Sequence, residues 1–210
     1  MLDAKLAAAP QRTAIIAEER ARADVYGLIA NLFANAPTER LLRAVAESRP
    51  QDADAGAFAA AWCGLCESAA HADPRAVADE FDDLFIGIGP GRVNLYAAHY
   101  LQRGQFKNSL AALRGDLARL GLAARDDAGE PEDHLSALCE AMRYLIAGDD
   151  AAPAADLEAQ HEFFARHVQP WYRLFCSNLR NTEGARFYVG AADFAEAFFD
   201  LETQSFELED

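Results

Sequence analysis

The sequence predicts an all-α fold, a compact single-domain bundle of about seven to nine helices. Three observations carry that expectation. Apolar residues recur at three- and four-residue spacing in segment after segment, which marks one buried face of a helix. Alanine is abundant and β-branched residues are few, a composition that favours helix over strand. No segment alternates apolar with polar residues, and no hairpin dipeptide separates two apolar runs. A length of 210 residues fits one domain, and 51% apolar residues supply an ample core.

The elements follow in order. A first long helix is expected over 13–34, with Ile15, Ile16, Val25, Leu28, Ile29, Leu32 and Phe33 as its apolar positions. The Asn35, Ala36, Pro37 run stops it, and residues 1–12 are read as an N-terminal tail. Thr38 N-caps a second helix that holds Leu41, Leu42 and Val45 and ends near Pro50. After a polar connection at 51–56, a third helix covers 57–70. Asp73 and Pro74 open a fourth, with proline in the first turn. It carries Val77, Phe81, Leu84 and Phe85 until the run Gly87, Ile88, Gly89, Pro90, Gly91 breaks it. A helix over 104–120 places Phe106, Leu110, Leu113, Leu117 and Leu120 on one face, and Gly121 closes it. Residues 124–129 form a charged loop. Pro131 begins the next helix, whose core candidates are Leu135, Leu138, Met142, Tyr144, Leu145 and Ile146. A long aromatic helix is expected over 155–179, kinked or split at Pro170. The last helix covers 191–201. The helical domain is thus 13–201, and 202–210 reads as an acidic tail: from Ala191 onward there are seven acids and no Lys or Arg.

Net charge is −15, and Lys occurs only at positions 5 and 107. So acidic a chain repels phosphate backbones, which excludes nucleic acid as a partner and favours a cationic one. No apolar run approaches the roughly 20 residues needed to cross a bilayer, so stable membrane insertion is not expected. The N-terminal MLDAKLAAAPQRT lacks the apolar stretch of a signal peptide. A cytoplasmic location is expected, with Cys63, Cys66, Cys139 and Cys176 as reduced thiols.

Several motifs invite chemistry. Trp62-Cys63-Gly64-Leu65-Cys66 has the form of a dithiol redox site, and a dithiol redox protein using Cys63 and Cys66 is the alternative reading. That chemistry requires the first thiol at a helix N-terminus after a strand. Helix formers precede it here, so two thiols buried in a helix are favoured. His161 and His167 are six residues apart, whereas a metalloprotease helix needs them four apart. The glycines at 87–91 lack the Lys-Ser/Thr of a phosphate-binding loop and follow a helix. The stretch Glu130, Pro131, Glu132, Asp133, His134 suits a helix start, where acids meet the positive end of the dipole. A cluster of acids beside a histidine also suits an arginine guanidinium.

Four blocks occur in a fixed order: EFDDLFIGIGPG, then LYAAHY, then PEDHL, then FFARHVQPWYRLF. Over about residues 20–200 their order and spacing resemble the TorD/DmsD/NarJ family, cytoplasmic chaperones for molybdenum-cofactor oxidoreductases. The chain has one residue more than the family's plain Gly-Pro-Gly at 87–91, and Ala98-His99 where many members have Ser. The resemblance implies an all-helical fold, no catalysis, no cofactor or metal of its own, and a monomer or homodimer. Its implied partners are the twin-arginine leader peptide and the apo-molybdoenzyme catalytic subunit, held back from export until the cofactor is inserted. Carried over by position, the leader-binding residues are Phe81, Leu84, Phe85, Gly87, Pro90, Tyr96, Tyr100, Asp133 and His134; charge adds Glu132. Asp82, Asp83, Glu132 and Asp133 are the expected guanidinium acceptors, and Phe85, Tyr96 and Tyr100 the apolar and cation–π contacts.

Overall fold

The computed structural model describes residues 4–49, 56–87, 91–101, 103–122, 131–149 and 153–208, with side chains described outside 4–16 and 103–109. Among these residues the chain forms ten α-helices and one π-helical turn: α1 (Ala4–Ala34), α2 (Glu39–Glu47), α3 (Ala57–Ala70), α4 (Pro74–Phe81) continuing as the π turn (Asp82–Ile86), α5 (Ala97–Tyr100), α6 (Arg103–Arg119), α7 (Leu135–Ala147), α8 (Leu157–His167), α9 (Tyr172–Arg180) and α10 (Phe187–Glu207). The all-α expectation holds, with a count slightly above the seven to nine foreseen. The extra members are the single turn α5 and the division of the long aromatic helix into α8 and α9. That division falls at Pro170, which has no N–H to continue the ladder. The polar connection at 51–55, the charged loop at 124–129 and Pro90 lie outside the described residues.

Local signals start and stop several helices as expected, but α7 begins at Leu135 rather than at Pro131. Pro131, Glu132 and Asp133 form a turn before it, and His134 is its N-cap. Thr38 Oγ1 accepts from Leu41 N at 3.2 Å, and Asp73 Oδ1 from Ala76 N at 2.8 Å, with Pro74 in the first turn. Two helices run longer than their periodicity indicates. α1 begins at Ala4 rather than near residue 13, and α10 spans Phe187–Glu207 rather than 191–201.

α10 is the central element. It packs against α3, α9, α1 and α4, while α1 lies along α7 and α2 along α3. Its buried positions include Phe187, Ala191, Phe194, Phe198, Glu202 and Phe206, which keep to one inward stripe. Trp62 of the dithiol-like motif belongs to this packing: its ring meets Phe194 at 5.0 Å and its Nε1 donates to Ser48 O. Burial pushes the Cys66 thiol up to about 11, opposite to the depression a redox pair requires.

The segment from 202 to 207, set apart by its acids as a tail, is the last turns of α10. Glu202 is buried and takes a bidentate pair from Arg22 of α1, Nε at 2.9 Å and Nη2 at 2.8 Å. Tyr26 O–H donates to the same carboxylate at 2.9 Å, and Arg22 Nη1 reaches Gln160 of α8 at 3.2 Å. The guanidinium lies over Phe206 at 5.6 Å, on which His161 stacks. One buried network therefore joins α1, α8 and α10.

A second network holds α6. Asp116 accepts from His167 Nε2 and Arg166 Nη1, both at 2.8 Å, and from Arg119. Burial alone would raise the Asp116 carboxyl, but these donors outweigh it and hold it down to about 2. Burial lowers His167 below its ordinary value against the pull of Asp116.

Two outcomes follow. Glu202→Ala leaves Arg22 without its main partner and should cost about 3 kcal/mol in urea unfolding, with Glu202→Gln costing less. For His167, the unfolded ring takes up its proton first as pH falls, so stability drops from the ordinary value of 6.5 down through the lower folded value. His167→Gln keeps a donor toward Asp116 and removes this titration. Its unfolding free energy should change less between about pH 7 and pH 5 than that of the wild type.

Candidate functional site

The first block is an inward-facing helix end. After α4 the backbone widens into the π turn, which Gly87 N closes on Asp82 O at 2.8 Å. Leu84 is fully buried and Phe81 nearly so; Phe85 is half-buried. Phe85 packs edge-on against Tyr188 of α10 at 5.0 Å and lies 6.0 Å from Phe33 of α1. The aromatic residues of this block thus join the core, and among its described residues Ile86 is an exposed apolar side chain, at 60%. Gly87, with φ +39°, ends the turn. The returning chain comes back hard against it. Val93 N donates to Leu84 O at 2.9 Å, and a Cβ on Gly91 would lie 2.5 Å from Phe85 O.

The second and third blocks are tied directly to each other. Tyr96 and His134 form an isolated antiparallel bridge, flanked by Leu135 N donating to Leu95 O at 2.9 Å and Ala97 N to Asp133 O at 3.0 Å. The Asp133 carboxylate is buried and accepts from Ala98 N at 2.9 Å, so it caps α5. His134 caps α7: its Nδ1 accepts from Ser136 N at 3.2 Å and lies 2.7 Å from Ser136 Oγ. Tyr96 stands edge-on to the imidazole at 5.0 Å. Tyr100 O–H donates to Asn94 O at 2.7 Å, and its ring stacks on Trp171 at 5.5 Å. Trp171 brings in the fourth block, its Nε1 donating to His167 O. Glu132 stands at the edge, held by Arg114 at 2.9 and 3.1 Å, and that guanidinium keeps its carboxyl below the usual range.

The structure therefore brings Tyr96, Tyr100, Asp133 and His134 into one knot and joins it to Phe81, Leu84 and Phe85 through the Val93–Leu84 hydrogen bond. It gives Glu132 and Asp133 partners within the chain, on Arg114 and on α5. Asp83 pairs with Arg92 at 2.8 Å. Glu80 and Asn94 escape a reading of local sequence. The Glu80 carboxylate caps α10, accepting from Arg186 N at 2.8 Å, Tyr188 N at 2.9 Å and Phe187 N at 3.2 Å. Those partners lie more than a hundred residues away. Asn94 Oδ1 accepts from Tyr96 N at 2.9 Å, a side-chain turn that an Asn two residues before the bridge could have signalled. Beside Glu80 a cleft of about 610 Å³ opens between the end of α3, α4 and the start of α10.

Residues 51–177 match the family model described as nitrate reductase delta subunit. The chain is 30% identical over 122 residues to a perchlorate reductase assembly chaperone protein of Dechloromonas aromatica, a match spanning 54% of this chain and 54% of that relative. It is 25% identical over 207 residues to the chaperone protein TorD of Shewanella loihica, covering 89% of this chain and 93% of the relative. A TorD of Vibrio cholerae is 27% identical over 128 residues, spanning 58% of each chain.

The closest approach in the site gives a direct test. Gly91→Ala drives a methyl group into the Phe85 carbonyl, which as backbone cannot swing aside. The variant should lose about 1–3 kcal/mol in urea unfolding, while Gly64→Ala, where nothing lies within 4 Å, should not destabilise the chain.

Proposed function

Since the chain belongs to the nitrate reductase delta subunit family of TorD, DmsD and NarJ chaperones, we propose that it is a cytoplasmic maturation chaperone. It binds a redox enzyme as its client. In this reading it holds the twin-arginine leader, the apo form, or both, of a molybdenum-cofactor oxidoreductase while the cofactor is inserted, before export or assembly. Its work is binding without turnover.

The observation that carries the reading is the Tyr96–His134 bridge, which joins blocks separated by more than thirty residues into one rigid surface. Such rigidity lowers the entropy lost on capturing a flexible peptide. In the proposed site Phe81, Leu84, Asp133 and His134 are the floor that holds the surface in shape. Phe85, Gly87, Tyr96, Tyr100 and Glu132 border the peptide, and Pro90 is proposed with them on the family resemblance alone. A twin-arginine leader offers two guanidinium groups and then an apolar stretch, which suits a strongly acidic chain with aromatic rings at its binding surface. The net charge of −15 speeds the encounter.

Calorimetric titration with synthetic twin-arginine leaders of molybdoenzymes, each beside a twin-lysine control, tests this. One leader should bind, and lysine should weaken it about tenfold, because an ammonium cannot make bidentate contacts. Asp133→Ala and His134→Ala should weaken the same leader while the circular dichroism of the helices is kept. Equal binding of arginine and lysine leaders, or of none, would overturn the leader assignment.

A further inference from the structure

The cleft beside the first block has an apolar floor that includes Ala76, Val77 and Phe187, and carboxylates at its edge. Four acids line it against one arginine, Arg186, and one histidine, His71. Two of those acids are committed to the fold: Asp73 caps α4, and Glu80 holds three N–H groups of α10. The other two are Asp79 and Asp83, four residues apart on one helix face, where like charges repel. Asp79 is exposed, and its side chain has no hydrogen bond or ion pair among the described residues. Asp83 holds the guanidinium of Arg92 in an exposed pair, side chains 63% and 42% accessible. Exposed pairs of this kind contribute little and exchange readily. Gly184 lies at the lip with φ +94°, and a Cβ there would stand 3.3 Å from Arg92 Nη1.

We propose that this cleft receives an arginine of the client's leader, whose guanidinium bridges Asp79 and Asp83 and displaces Arg92. The inference rests on the leader reading above and moves the guanidinium contact away from Asp133, whose carboxylate caps α5. An extended, arginine-bearing peptide is the occupant that fits. It supplies the cation that Asp79 lacks and a replacement for Arg92 on Asp83, and its aliphatic stem covers the apolar floor. Arg92 is then an internal competitor, a guanidinium already seated on one of the two carboxylates, which limits affinity until a better donor arrives.

The test is leader titration with Asp79→Asn, Arg92→Gln and, as a control of equal charge change, Arg43→Gln, which breaks the exposed pair with Glu39 on α2. All three positions are exposed, so circular dichroism should not change. Asp79→Asn should weaken the leader about tenfold. Arg92→Gln should tighten it about threefold, and Arg43→Gln should leave it unchanged. Wild-type affinity in Asp79→Asn, or equal tightening by Arg43→Gln and Arg92→Gln, would overturn the cleft while leaving the chaperone reading intact. Failure of every leader to bind the wild type would overturn both. Self-association lost in Asp79→Asn, read by sedimentation, would overturn the peptide and assign the cleft to a second copy of the chain.

Discussion

Tyr188 stands where α1, the π turn and α10 meet. Its ring receives the edge of Phe85 at 5.0 Å and lies 5.9 Å from both Phe33 and Phe81. Its hydroxyl donates to Leu32 O at 3.1 Å in the interior. Burial raises the phenol far above its ordinary value, so that donor is retained across the working pH range. One residue upstream of Phe81, Glu80 holds the first N–H groups of the helix that carries Tyr188. The ring contact and the cap act between the same two elements, one through packing and one through charge. Together they seat α4 and the π turn against α10, and the Val93–Leu84 hydrogen bond ties the Tyr96–His134 knot to that turn.

Carboxylates do two separate jobs in this molecule. Glu202, Asp116, Asp133 and Glu80 hold helices together, each against a donor from a distant element. No described buried side-chain polar atom lacks a partner, so these acids are consumed by the fold. A net charge of −15 still leaves a large surplus at the surface. Acids free to meet a partner are then those that no helix start and no arginine of the chain requires. That criterion favours Asp79, which no motif contains, over Asp133, which the motif reading selects. It also explains how a strongly acidic chain keeps a tight core. The interior holds its charges in matched sets, and the repulsion is left to water and counterions.

The class of the fold was legible because its causes are local. Amphipathic spacing, the Thr38 and Asp73 caps and the break at Pro170 each act within a few residues. What escaped the sequence depends on partners far along the chain. α10 starts at Phe187 because Glu80 caps it from 106 residues away, and it continues beyond Leu201 because Glu202 meets Arg22 at a separation of 180. Of the candidate site, the convergence of its residues was legible more than the part each plays in the fold. Tyr96, Tyr100, Asp133 and His134 do converge, but Phe81 and Leu84 are core, and Asp133 and His134 serve as caps. A cap and a ligand contact call for the same residue types, so only geometry separates them.

The bridge between Tyr96 and His134 has a topological consequence. The chain departs at Ala97 and returns at Asp133 to the point it left, so residues 97–133 are an excursion pinned at its base. The entropy of closing such an excursion grows only with the logarithm of its length, about 0.6 kcal/mol for each doubling. The excursion is also fastened to the bundle along its length, through Asp116 of α6 on His167 of α8 and through Tyr100 stacked on Trp171. Lengthening it is therefore cheap in closure entropy alone, and the limit is set by keeping Asp116 on His167.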